Sequence, residues 1–224
     1  KIFSSIDQGK NWVLDCFIHT QDWKSWASRS KLTSRLLRYY IASFQQLSDG
    51  SRLAVARDGV YRAGPGEKKM SCRFKITRGS RPLNLSIDKN RVMFGEYGSG
   101  LENSRVAIYV SENFGRTFSI RYKFPKSDIR HVHNIVIDGP NKTYWVLVGD
   151  FNQQTGIGIL SQDFTTIDWV CRGTQRCRAV GALLTNDGLV YGTDSDRERN
   201  YIVHLDKRKS FHLALKHPTC FRLI

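Results

Sequence analysis

A chain of 224 residues carrying 35 Lys and Arg against 20 Asp and Glu has a formal charge of +15. That excess points to polyanionic partners (nucleic acid, an anionic glycan or an acidic membrane surface), and no apolar run is long enough for a membrane-crossing helix. With 40% hydrophobic and 12% aromatic residues, the composition is that of a folded globular protein, either one large all-β domain or two small ones.

The chain opens on SSIDQGKNW, residues 4–12. Here Ser5 and Asp7 can hydrogen-bond nearby amides, Gly9 can take a positive φ, and Trp12 starts the next strand with something to bury. Residues 19–36 fit no strand pattern and are expected to form an insertion, a loop or a short amphipathic helix, with Trp23, Trp26 and Leu32 as anchors. From Tyr40 onward one layout recurs: an apolar strand, a tight Asp/Asn/Gly turn, a second apolar strand and a short polar segment. The copies start near 40, 83, 133 and 180. That spacing of roughly 43 to 50 residues is the period of a four-stranded propeller blade.

The opening turn also recurs. SENFGRTF (111–118) keeps the pattern with Asn113 for the acid, and SQDFTTIDW (161–169) loses the glycine. LDKRKSF (205–211) keeps only Asp206 and Phe211. Short, aromatic-rich, β-branched strands with turn residues every eight to twelve positions give an all-β fold. The expected class is a β-propeller of four-stranded antiparallel blades, about five blades or a fragment of a larger propeller. In a single domain, a partial blade is expected at 1–18 and blades at about 37–77, 78–125, 126–173 and 174–215. CFRLI falls in phase for a new inner strand, so a shared or truncated blade starts at 216–224.

Five cysteines, an odd number, argue against a fully paired disulfide framework, and the Cys171–Cys177 spacing is too loose for a zinc knuckle. One disulfide or five buried thiols both fit. No P-loop, dinucleotide fingerprint, zinc spacing or nucleophile elbow is present, so neither cofactor nor metal is expected. Asn84-Leu-Ser86 and Asn141-Lys-Thr143 are glycosylation sequons in a secreted eukaryotic setting.

The Ser-x-Asp-x-Gly-x-x-aromatic turn at Ser5–Trp12 and Ser111–Phe118 resembles the Asp-box, or bacterial neuraminidase repeat, of sialidase-like β-propellers. The resemblance spans nearly the whole chain as architecture. It implies that the boxes lie between the third and fourth strands of a blade, on the face away from the ligand, and that they serve folding. It also implies a secreted or cell-surface protein. The early Arg-Ile-Pro motif of the enzymes is missing, and their Tyr/Glu pair comes from separate blades whereas Glu96 and Tyr97 are adjacent. These departures argue against true sialidase activity, although Arg222 and Arg81 can stand in for parts of an arginine triad.

With the boxes on the third-to-fourth-strand turns, the opposite face is built from segments after each second strand and before each first strand. The former supply Glu96, Asp150 and Asp194, with Tyr97 beside the first. The latter supply Arg38, Arg81, Arg130 with His131 and His133, and Arg178. The recurrence of basic residues at one phase and acids at another predicts one face with arginines around a smaller set of carboxylates. Arginine's planar fork suits carboxylate, sulfate or phosphate groups, so Arg38, Arg81, Arg130, His131, Arg178 and Tyr97 are the candidate ligand-binding residues. Glu96, Asp150, Asp194 and His133 are the candidate catalytic residues, because converging carboxylates and an imidazole can do acid/base chemistry; the carboxylates can instead bind a cation, and one of the two histidines can be a metal ligand with Asp150 close by. His131 and His133 are expected to point to opposite sides of their strand, so that one alone faces the axis. The arginines can instead pair with the neighbouring acids on a solvated rim.

The expected function is that of a carbohydrate-active propeller, hydrolase or lyase, on an anionic oligo- or polysaccharide. The alternative is a non-catalytic module binding a polyanionic glycan or a protein through the same face. Nucleic acid fits less well, because apart from Tyr39, Tyr40, Tyr97 and Phe151 that face is poor in aromatics to stack on bases.

Overall fold

A computed structural model describes residues 1–19, 30–36, 40–56, 58–98, 105–196, 198–206 and 211–217. An N-terminal hairpin of β1 (Ile2–Ser4) and β2 (Val13–Ile18) precedes a short helix, α1 (Lys31–Leu36). Strands β3 (Ser43–Gln46), β4 (Arg52–Ala56), β5 (Gly59–Ala63) and β6 (Lys69–Lys75) form a first antiparallel sheet, to which β2 adds in parallel at β6. The second sheet holds β7 (Ser86–Asp88), β8 (Arg91–Gly95), β9 (Ala107–Ser111) and β10 (Ser119–Lys123). The third holds β11 (Val132–Asp138), β12 (Thr143–Val148), β13 (Gly156–Ser161) and β14 (Ile167–Arg172). The fourth holds β15 (Ala179–Leu184), β16 (Gly188–Thr193), β17 (Asn200–Asp206) and β18 (Phe211–His217). In each of these sheets chain order equals spatial order, which is the meander that defines a blade.

The described residues fall into two compact units. One comprises Lys1–Arg81, Lys89–Val92 and Ser111–Phe118; the other comprises Pro82–Asp88, Met93–Val110 and Ser119–Ile224. In the first unit Cys16, Ala54, Tyr61, Ala63 and Met70 form the core, with Ile2 and Phe44 packed against it. Leu32 and Leu36 of α1 are exposed, so Leu32 is not the anchor that its apolar side chain suggested; Trp23 and Trp26 lie outside the described residues.

In the second unit β11 lies beside both β7 and β15, so the first strands of three successive sheets are neighbours. One apolar cluster joins Met93, Ile108 and Phe124 to Tyr144, Val146 and Leu160. Another joins Trp145, Leu147 and Ile157 to Leu189, Tyr191 and Leu205. The second strand of the third sheet, TYWVLV, is therefore buried on both faces and reads as a continuous apolar run, whereas the outer strand SIRYK is mostly exposed.

The repeated turn has one hydrogen-bond scheme at three places. Ser5 Oγ accepts from the Gly9 amide at 2.8 Å and donates to Asp7, whose carboxylate accepts from the Asn11 amide at 2.9 Å. Ser111 Oγ accepts from the Gly115 amide at 2.9 Å while Asn113 Oδ1 accepts from Thr117 N. Ser161 Oγ accepts from Thr165 N, and Phe164 at φ +63° is left-handed like Gln8 and Phe114 at the same position of the other copies, while Thr165 stands where they have glycine. Gly115, at φ +72°, is required twice over, because a Cβ there would also lie 2.7 Å from Leu53 Cδ2. Ser111 is buried, so Ser111→Ala leaves the Gly115 amide without its acceptor. The expected cost is about 1–2 kcal/mol, read as a lower urea midpoint at unchanged m-value.

Candidate functional site

At the ends of β11, β12, β15 and β16 charged and titratable side chains of the second unit converge. Asp150, just past β12, is the hub. Its Oδ1 lies 3.2 Å from His131 Nε2, 3.4 Å from His133 Nε2 and 3.3 Å from Arg178. Its Oδ2 lies 3.4 Å from Arg130. Gln175 donates to the Asp150 carbonyl at 3.1 Å, which fixes the loop that carries the carboxylate. Arg178, just before β15, also reaches Asp196 at 2.9 Å and Asp194 at 3.9 Å.

The two imidazoles share one side of the strand, with their Nε2 atoms 2.8 Å apart. The expectation of opposite sides is overturned for an elementary reason: residues two apart on a strand face the same way. Between them Val132 turns inward to the core. The β11–β12 ladder shifts register between Val132 and Asn134, so His133 sits at a bulge, a device that re-aims a side chain. His133 Nδ1 donates to the Ala179 carbonyl at the start of β15 at 2.7 Å, which fixes the ring's orientation. Tyr97 stacks on His131 with ring centroids 4.3 Å apart.

The electrostatics follow from this packing. Burial alone would raise the Asp150 carboxyl, but the hydrogen bonds and charges of His131 and His133 outweigh it and hold the group well below the usual carboxylate range. Asp150 is thus an anion and a hydrogen-bond acceptor, not a proton donor. Burial pushes His131 below its ordinary value, against the pull of Asp150, so its ring is neutral at neutral pH. Burial, then the charges of Asp150 and Asp194, raise the Tyr97 phenol despite Arg130 and Arg178, so its proton stays on.

The structure thus brings together Asp150, Asp194, His131, His133, Arg130, Arg178 and Tyr97. Glu96 accepts from the Ala107 amide at 2.9 Å and the Tyr109 hydroxyl at 3.3 Å, tying its loop to β9. Arg81 belongs to the first unit, where it donates to the Tyr40 hydroxyl at 2.7 Å and stacks over that ring. Arg38, Tyr39 and Arg222 lie outside the described residues, as do positions 207–210 of the fourth turn copy. Three further features bear on the site, of which Asp196 alone was not named from the sequence. Asp196 was one alternation beyond Asp194 and so predictable on the same strand-end logic. Phe151 stacks under Arg130 at 5.2 Å. The third is a disulfide between Cys171 and Cys177, whose Cα atoms are 5.7 Å apart.

That bridge closes the short loop leading into Arg178 and Ala179. Reducing it, or the double change Cys171→Ser/Cys177→Ser, is expected to cost about 2 kcal/mol on the chain-entropy estimate for so short a loop. The check is the urea midpoint with and without reductant.

No protein-family model matches the sequence, and no curated protein matches it at a significant level. Among solved structures, a chain of a nidogen/laminin complex is similar at a TM-score of 0.56 and 14% identity, over 76% of this chain and 64% of that one. This chain therefore spans less than two thirds of that chain's length. A Bacteroides thetaiotaomicron protein of unknown function is similar at a TM-score of 0.49 and 13% identity, over 78% and 43% of the two chains. A protein assigned as an exo-beta-1,3-galactanase from Bifidobacterium bifidum s17 is similar at 0.48 and 12%, over 76% and 69%. At such identity the likeness is one of fold: an all-β chain of four-stranded antiparallel blades, with β-propeller-like structural neighbours.

Proposed function

We propose that this chain is a carbohydrate-active β-propeller of the sialidase-like, Asp-box kind that holds an anionic glycan against the Asp150 cluster. The observation that carries the reading is the pair formed by Arg130 and Phe151. The guanidinium is 43% exposed, stacks on an exposed ring at 5.2 Å and reaches Asp150 by one edge, at 3.4 Å. An aromatic platform beside a half-exposed planar cation suits a sugar ring bearing a carboxylate or sulfate. Arg178, 14% exposed and shared among three carboxylates, serves to position the cluster rather than to meet the ligand. The net charge of +15 supports attraction of a polyanion, and the three serine-anchored turns support the Asp-box reading.

Retention on heparin or a polyuronate that weakens with salt is the expected result. Arg130→Ala should reduce affinity about 10-fold, the loss of one charge-assisted contact of about 1.5 kcal/mol. Retention unchanged by Arg130→Ala would count against this face. Cleavage, by hydrolysis or elimination, is a second reading favoured by the protonated Tyr97 phenol beside Asp150 and Asp194. Loss of product release in Tyr97→Phe with heparin retention intact would support it. The absence of turnover across acidic glycans would leave a binding module.

A further inference from the structure

We infer that His131, His133 and Asp150 bind one divalent transition-metal ion of the zinc class, through the two Nε2 atoms and a carboxylate oxygen. The inference is independent of the glycan reading. The three donor atoms stand 2.8, 3.2 and 3.4 Å from one another. Ligands about 2.1 Å from a common ion lie about 3.0 Å apart on an octahedral face and about 3.4 Å apart in a tetrahedron. The observed triangle has the size that either geometry demands.

Proton bookkeeping points the same way. His133 Nδ1 donates to the Ala179 carbonyl, so in a neutral ring its Nε2 carries a lone pair directed at His131. Without an ion, His131 Nε2–H must fill the gap, which leaves His131 Nδ1 a bare lone pair. That atom is buried without a hydrogen-bond partner. With an ion, both Nε2 lone pairs have an acceptor; His131 Nδ1 is without a partner in either state, so the bookkeeping favours the ion through the Nε2 atoms alone. The Ala179 carbonyl is the kind of outer partner that orients a metal-bound imidazole. The imidazoles are 2% and 3% exposed, so few competing waters reach the donors.

The nearby guanidinium groups do not forbid a cation. Arg178 and Arg130 are two positive charges against the three carboxylates Asp150, Asp194 and Asp196, so the cluster keeps a net negative charge when both imidazoles are neutral. Two imidazoles and one carboxylate suit zinc, iron, cobalt or manganese, and three protein ligands leave further positions open to water or an acidic ligand group.

The test is calorimetric titration of zinc into the chelator-stripped chain, with cobalt followed by visible absorption as the spectroscopic probe. It is run on the Cys72→Ser background, because Cys72 is a free, exposed thiol that takes zinc by itself. One equivalent of saturable binding is expected, with cobalt d–d bands characteristic of mixed nitrogen and oxygen ligation. His131→Gln removes a direct ligand, so its affinity should fall by more than the roughly 100-fold upper bound for an outer partner. Should that variant not fold, the parent chain still decides. Zinc should raise its thermal midpoint reversibly with chelator, and cobalt should give its spectrum at one equivalent. Absence of saturable binding, or equal binding by the folded His131→Gln variant, overturns the inference. Heparin retention measured in chelator reports on the glycan reading alone, so the two can fail separately.

Discussion

Asp150→Ala is expected to destabilise the protein by about 3 kcal/mol, the lower end of the range for removing one partner of a buried charge cluster. The Asp150 carboxylate faces two buried imidazoles and two guanidinium groups. Arg178 retains Asp194 and Asp196 when it is lost, and Arg130 is exposed enough for water to take over, which keeps the figure at the lower end. The imidazoles, buried away from water, keep only each other and the Ala179 carbonyl. Urea denaturation gives the loss directly. Asp150→Asn, which preserves an acceptor oxygen and the side-chain volume, should cost less than half as much. Equal costs for the two variants would mean that shape, not charge, is what Asp150 supplies.

Gly95→Ala is the second large effect. Gly95 ends β8, and a Cβ built there would fall against the Val132 side chain, within 2.6 Å of both its methyl groups. Val132 is held from behind, because its amide donates to the Glu96 carbonyl at 2.9 Å and its side chain is buried in the core. Neither strand can retreat without breaking that bond. Overpacking of this kind costs about 1–3 kcal/mol, and the backbone clamp puts Gly95→Ala at the upper end. Because Val132 stands between His131 and His133, the variant should lose metal and glycan binding well beyond what its stability change explains. The comparison is binding measured at a temperature where both proteins are folded. Binding retained at parental strength would separate the Gly95 contact from the site.

Much of this site could be read in the sequence, and the reason is the repeat. Asp150 and Asp194 follow second strands, and Arg130 and Arg178 precede first strands, so their phase alone predicted their meeting. The sheets were legible for the same reason, since each apolar pair of strands is separated by a turn that the backbone can close in only a few ways. What phase could not show was partner choice. Arg178 stood as a ligand-binding residue, yet its two terminal nitrogens meet Asp196 and Asp150. Nor could the spacing of Cys171 and Cys177 decide between a bridge and two thiols, because the answer depends on a loop path that no periodicity encodes. The proposed metal ligands are a different case. Zinc knuckles show in a sequence as clustered cysteines, whereas His131 and His133 at the start of β11 and Asp150 past the end of β12 carry no spacing signature.

The register fault at His133 has a consequence for anyone altering this strand. His133 is left out of the β11–β12 pairing, so its ring is aimed by the Ala179 carbonyl rather than by a ladder partner, and a substitution that cannot make that bond leaves this stretch of strand with nothing to hold its direction.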